Sequence, residues 1–510
     1  MVNNGASGAC QACKQRHKKC DETRPSCLRC SRARRTCPGY ATGKELKFVN
    51  YSQHINVIEP PFVDTVPTSW SAENGLLDWA SIEGHARVQF FEDYCVHSPN
   101  QDISRGYLSG LPAMIAKAGP ESDVAKACTT IALASLGTKT RDQNIAQRAQ
   151  SHHTALLRSF SLSITTGDTF ISVESLITAT LLGLHEIIIN TDISNGAHIA
   201  HAQGVSAILT SKSSPFDLMC GGKLFKALDP TSTIEQEIEN PKLPNWQHTP
   251  PDPNKVTSRF SILCTPLSKH GAVTIDEIFA RTEPLYNRTA SVLAREATLE
   301  ELYVVKRDAE KLKDDYNVWQ ESLPEEWKPE VVGVVKGGDE SLPQVGYWPG
   351  TITYYHDPYI ATIWNAYRKA RLLVLNIIMD CYYRICTFPE HEKIDPAIFT
   401  EISELTKGII SSIPFVLSDD IQAFLDNAGT CKPLVPGRLV GGLLLMHTLY
   451  VISVLPITEP KVQRYLRDCL GWIGENMNIG QAVILSKCAT NELFEYVTEA
   501  HVLIWAGMLI

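Results

Sequence analysis

The sequence predicts a small cysteine-built domain over residues 8–40, a linker over 41–83 and a large all-α domain over 84–510. Three observations carry that expectation. Six cysteines recur between residues 10 and 37 in a doubled spacing. From about residue 84 onward apolar residues return at helical intervals. Alternating apolar and polar runs, the mark of half-buried strands, are nearly absent. A chain of 510 residues also has ample material for a large apolar core.

Charge divides the chain in the same way. Through Lys47 there are eleven Lys/Arg against three Asp/Glu, a net of +8; the rest of the chain carries −17 within a total of −9. A short basic head on an acidic body is the asymmetry of a nucleic-acid-binding module attached to something else. The start, MVNNGASGAC, has neither a basic n-region nor an apolar h-region, so no secretory signal is expected. Fifteen cysteines, an odd number, then point to a reducing compartment and to thiols free for metal rather than to a disulfide framework.

The head reads Cys10-x2-Cys13-x6-Cys20 and then Cys27-x2-Cys30-x6-Cys37, two halves of identical spacing. Identical halves suggest two similar turns of chain related by an approximate two-fold. Thiolates suit zinc, which takes four ligands in a tetrahedron. Six cysteines serve one zinc with two thiols left over, or two zincs if two sulfurs are shared. Under a two-fold the shared pair is Cys10 and Cys27. One zinc then takes Cys10, Cys13, Cys20 and Cys27, and the other Cys10, Cys27, Cys30 and Cys37. Lys14, Arg16, His17, Lys18 and Lys19 fill the first long spacing, and Arg29, Arg32, Arg34 and Arg35 surround the second. A segment so cationic and so poor in apolar residues cannot fold on a greasy core. Metal supplies the folding free energy, on the order of 10 kcal/mol for structural zinc. The outward positive charge then needs an anion, and DNA phosphate fits.

The linker opens with Pro38-Gly39, holds Glu59-Pro60-Pro61 and Pro67, and has no helical period and no heptad. Beyond it, Val88, Phe91 and Cys95 share one stripe, and Ala149, Leu156, Phe160 and Ile164 another. Residues 172–189 are strongly apolar, and 275–323 read as one long amphipathic stretch with Leu299, Leu302, Val305 and Leu312 on its apolar face. Polar, proline-bearing breaks fall near 211–255, 324–350 and 429–437. Leu439–Ile457 carries no Asp, Glu, Lys or Arg, but it holds His447, Thr448, Ser453 and Pro456 and lacks a basic flank. A buried core helix is expected there, and no membrane span.

The segment CQACKQRHKKCDETRPSCLRCSRARRTCPGY resembles the fungal zinc binuclear-cluster (Zn2Cys6) DNA-binding domain in all six cysteines, the basic first loop, Asp21, Arg24-Pro25 and Gly39-Tyr40. More loosely, ALLRSFSLSITTGD, AHIAHAQGVSAIL, WNAYRKARLLVL and GRLVGGLLLMHTLYVIS resemble the helical regulatory region of such factors. The resemblance implies a Zn2Cys6 domain followed by an all-α regulatory domain, in a nuclear transcription factor for RNA polymerase II genes. It implies two zinc ions and double-stranded DNA read at CGG-type triplets in the major groove. Arg16 and His17 would face base edges, with Lys14, Lys18 and Lys19 beside them; guanine O6 and N7 are the natural acceptors for arginine. His17 departs from the lysine common in the family. The body would take co-regulators or a small effector, and dimerisation is left open.

No Walker loop, GxSxG, GxGxxG or HExxH occurs, so no catalytic group is named and an enzyme is not expected. The sequence leaves two alternatives open: an all-α enzyme, or an interaction scaffold, localised by a zinc cluster. His152-His153, His198 and His201 read as core or surface histidines. The nine cysteines beyond the head read as small buried hydrophobes.

Overall fold

The computed structural model describes residues 12, 13, 16, 20, 21, 27–33 and 37 of the head, and 78–98, 103–166, 172–192, 196–210, 275–336, 343–388, 393–427 and 432–509 beyond it. The chain falls into two compact units, Met1–His54 and Ile55–Ile510. Each has its own buried cluster. Among the described residues there are sixteen α-helices and one two-stranded sheet. The head contributes α1 (Leu28–Arg32).

Among its described residues the larger unit is mostly helical. Its first half runs α2 (Trp79–Tyr94), α3 (Leu111–Ala118), α4 (Asp123–Thr140), α5 (Gln143–Thr166), α6 (Val173–Ile189) and α7 (Ala197–Thr210). Helix starts follow side-chain caps. Asp78 accepts the Ser81 N–H at 3.4 Å, Ser122 that of Ala125 at 3.3 Å, and Ser172 that of Ser175 at 3.0 Å. Helix α4 is buried on nearly every side and packs against α2, α5 and α6.

The second half runs α8 (Ile275–Leu293), α9 (Leu299–Glu321), β1 (Glu330–Val335), β2 (Gly350–Tyr354), α10 (Pro358–Ile385), α11 (Ala397–Leu417), α12 (Ile421–Asn427), α13 (Leu439–Val454), α14 (Pro460–Asn476), α15 (Gly480–Lys487) and α16 (Phe494–Ala506). The stretch 275–323, expected as one amphipathic run, is two helices. Thr298 and Glu301 form a capping box that restarts the chain as α9. The break expected over 324–350 also holds structure, because β1 and β2 pair antiparallel there around a bulge between Val331 and Gly333.

Helix α13 is the span expected to be a core helix, and it is buried along nearly its whole length. It packs against α10, α11, α14 and α16. No single described helix is long and apolar enough to cross a membrane; the pair α11 and α12 passes by length and composition only and is bent by 109°. The end of the chain closes on the beginning of the unit. Helix α16 packs on α6 and α7, and the Leu108 N–H donates to the Gly507 carbonyl at 2.8 Å.

A polar chain crosses this core. Lys369 donates to His501 Nε2 at 3.3 Å, His501 and His447 share their Nδ1 atoms at 3.2 Å, and His447 Nε2 lies 2.7 Å from Gln481 Oε1. The ends fix the middle: lysine only donates and an amide oxygen only accepts, so both imidazoles are neutral with one defined tautomer. Burial pulls His447 from 6.5 down to about 3, with Lys369 and His198 acting in the same direction against the Gln481 hydrogen bond. An unfolded histidine takes a proton near 6.5 and the folded one refuses it. Stability from this group is therefore complete above pH 6.5 and lost as pH falls towards 3. By pH 5 the loss is on the order of 2 kcal/mol for His447 alone. Urea midpoints followed by circular dichroism should drop between pH 6.5 and 5, and less steeply in His447→Gln; equal slopes would refute the assignment.

Candidate metal centre and nucleic-acid interface

Helix α1 is only five residues long, too short to persist without help. Asp21 supplies that help from the preceding loop. Its Oδ1 accepts the Leu28 N–H at 3.0 Å and its Oδ2 the Arg29 N–H at 2.8 Å. Two of the helix's orphan donors are thereby satisfied, and the carboxylate sits at the positive end of the dipole. Ala12 and Cys13 are also helical, so the second cysteine of each half, Cys13 and Cys30, lies in a helix, in keeping with the repeated spacing.

The interior of this unit is sulfur. Cys13, Cys27 and Cys30 are buried, with Cys20, Cys37 and Ala12 packed around them. The Cys13 and Cys27 Sγ atoms are 3.8 Å apart. A disulfide brings sulfurs to about 2.0 Å. Two thiolates on a tetrahedral zinc, each about 2.3 Å from the metal, lie about 3.8 Å apart. The spacing matches such a ligand edge. Besides this contact across the halves, Cys27 ties its own half together: the Cys30 N–H donates to its Sγ at 3.3 Å, and its own N–H donates to Cys37 Sγ at 3.5 Å. Such N–H donors offset thiolate charge, as outer-shell partners of a metal site do. The donor set of Cys13, Cys27 and Cys30, all within 4.8 Å of one another, therefore fits zinc.

Five of the six expected ligands, Cys13, Cys20, Cys27, Cys30 and Cys37, thus fall in one cluster; Cys10 lies outside the described residues. Of the expected DNA contacts, Arg16 is exposed, and Lys14, His17, Lys18 and Lys19 lie outside the described residues. Arg29 and Arg32 on α1 are exposed as well, so the sulfur interior carries a cationic exterior. The capping role of Asp21 was not legible beforehand, because its partners are seven and eight residues away and no local capping pattern spans that gap.

Residues 8–45 match the model of the fungal Zn(2)-Cys(6) binuclear cluster domain. The chain is also 33% identical over 434 residues to transcription factor dbaG of Emericella nidulans, an alignment that covers 84% of this chain and 97% of that protein. This chain belongs to the fungal Zn2Cys6 transcription factors. The likeness to dbaG is far longer than the head, so the family relation includes the helical unit. No solved structure matches. As a family member the protein binds zinc through its cysteine head and binds DNA.

The described cysteines outside the head are free thiols. Cys128, Cys381 and Cys469 are buried, and Cys95, Cys386 and Cys488 are half-buried; Cys220, Cys264 and Cys431 lie outside the described residues. Burial pushes the Cys95 thiol up to about 12 against the pull of Arg438, and Cys381 up to about 11. Neither is a nucleophile near neutral pH.

Proposed function

We propose that the protein regulates RNA polymerase II genes in the nucleus, with residues 8–40 docked in the major groove, 41–83 as tether and 84–510 as the regulatory unit. Two zinc ions share Cys10 and Cys27 in this reading. Cys13 and Cys20 complete one tetrahedron, and Cys30 and Cys37 the other. The 3.8 Å sulfur edge at Cys27, beneath an exposed cationic face, is the observation that supports it. A metal-held cluster keeps arginine side chains in fixed positions without a hydrophobic core, and that rigidity is what base readout needs.

Arg16 and His17 read a CGG-like triplet, and Lys14, Lys18 and Lys19 hold phosphates. Arginine against guanine O6 and N7 is bidentate, and losing it costs about 1–3 kcal/mol. Histidine donates fewer bonds and carries only part of a charge, so His17 contributes less than a lysine would. Selection of bound sequences from random DNA with the full chain should return CGG-like triplets. In mobility-shift titrations Arg16→Ala should weaken the selected site and flatten discrimination against scrambled DNA. Lys18→Ala and Lys19→Ala should weaken both DNAs alike and reduce the salt slope by about one unit each. Equal losses on both DNAs for Arg16→Ala would remove its role as a base reader.

The helical unit would transmit co-regulator or effector binding to the DNA-binding head. The family relation argues for regulation in place of catalysis.

A further inference from the structure

Away from the cysteine head, three helices of the large unit bring metal-ligand chemistry to one point. His153 on α5 and His185 on α6 stack ring on ring, centroids 4.3 Å apart and 10° from parallel. Glu186 follows His185, and its Oε1 lies 3.4 Å from His153 Nε2 and 3.5 Å from His185 Nδ1. The three donor atoms all fall within 4.8 Å of one another. Both histidines are buried, at 6% and 5% exposure. Beyond these long contacts to Glu186, neither His153 Nε2 nor His185 Nδ1 makes a hydrogen bond of ordinary length. On α7, His201 is buried beside them and feels both Glu186 and His185.

We propose that His153, His185 and Glu186 form a divalent transition-metal site of the zinc type inside the helical unit, separate from the cysteine cluster.

Two ring nitrogens and a carboxylate turned together inside a core at distances long for hydrogen bonds are costly as an apolar packing solution. They are the ordinary donor set of zinc, two imidazoles and one carboxylate. A tetrahedral ion with ligands about 2.0–2.1 Å away has ligand–ligand edges of about 3.3 Å. The two contacts to Glu186 are close to that edge and long for hydrogen bonds. The site leaves a fourth position for water. An ion there would clip α5 to α6, which also packs against α7 and α16, and would stabilise the folded unit by mass action.

The test is native mass spectrometry of the full chain equilibrated with zinc, beside Glu186→Gln and the pair His153→Gln/His185→Gln. Wild type should hold one ion more than the double variant, and Glu186→Gln should bind that ion at least about tenfold more weakly. Equal ion counts in wild type and double variant would overturn the proposal. Should the double variant misfold by circular dichroism, a full chain with Cys13→Ser and Cys27→Ser decides instead. Loaded with cobalt(II), it should bind one tight ion whose absorption lacks thiolate charge transfer, and Glu186→Gln in that background should lose it. No tight cobalt, or cobalt unaffected by Glu186→Gln, sinks the site. Because this arm disables the thiolate centre deliberately, failure of the histidine site and failure of the cysteine-cluster reading give different results.

Discussion

Replacing Cys27 with alanine should abolish sequence-specific DNA binding while leaving the helical unit folded. Cys27 is fully buried at the centre of the sulfur cluster. Its Sγ faces Cys13 at 3.8 Å and accepts the Cys30 N–H at 3.3 Å, and its backbone opens α1. One substitution therefore removes a ligand edge, an outer-shell hydrogen bond and the support of a helix with no apolar face of its own. Metal supplies on the order of 10 kcal/mol to domains of this kind, against a conformational entropy cost that nothing else here offsets. Specific sites are bound about 1000-fold or more above non-specific DNA, and that whole margin should vanish. Cys20→Ala should be milder, since Cys20 serves one ion in the proposed arrangement. Mobility shifts on the selected site, with zinc content and helicity measured on the same samples, check this. Retained discrimination in a zinc-depleted Cys27→Ala protein would show that metal does not hold the reading surface. The large unit should be untouched, because its core is a separate cluster.

Gly441→Ala should strongly destabilise the helical unit, although alanine is the better helix former. Gly441 lies in α13, and a Cβ built there would meet the Val416 carbonyl oxygen at 1.9 Å. Val416 is near the end of α11, so the obstruction is backbone and cannot rotate away. Alanine gains about 1 kcal/mol in helix propensity. Forcing two core helices apart costs about 3 kcal/mol or more, and the cost wins. Gly204→Ala in α7 is the control, since nothing lies within 4 Å of its Cβ position. It should be neutral or stabilising by up to about 1 kcal/mol. The urea midpoint of Gly441→Ala should fall, and that of Gly204→Ala should hold or rise. A Gly441→Ala midpoint equal to wild type would mean α11 and α13 do not meet so closely.

The two substitutions probe features of different legibility. The cysteine cluster is local: its ligands lie within 28 residues, Cys10 to Cys37, and the repeat itself announces shared metal. The helices themselves were equally readable, and so was the burial of α13, whose composition has no polar face to expose. Their buried faces were legible only in part: Ala149, Leu156 and Phe160 of α5 are buried as expected, whereas α2 buries Ile82, Ala86, Phe90 and Tyr94 and leaves Val88 exposed, because neighbouring helices cover the other side of the expected Val88, Phe91 and Cys95 stripe. The hairpin of β1 and β2 escaped because β1 buries only Val335 fully and leaves Val331 and Val334 exposed, so no alternation is written into it. What completes the sheet is a neighbour, Thr353 donating to Ser411 on α11 at 2.7 Å. The restart at α9 did carry a signal, Thr298-x-x-Glu301, which the continuous amphipathic pattern obscured.

By itself the sequence determined the chemistry of the head and the helical class of the body, because ligand spacing and a 3.6-residue period are properties of neighbours along a chain. Tertiary structure alone decided which distant groups meet. Asp21 became the cap of α1, Gly441 the point where α13 touches α11, and His153 the companion of His185 and Glu186. A buried polar group takes its meaning from its partners, and those partners come from separate helices that no window of sequence contains.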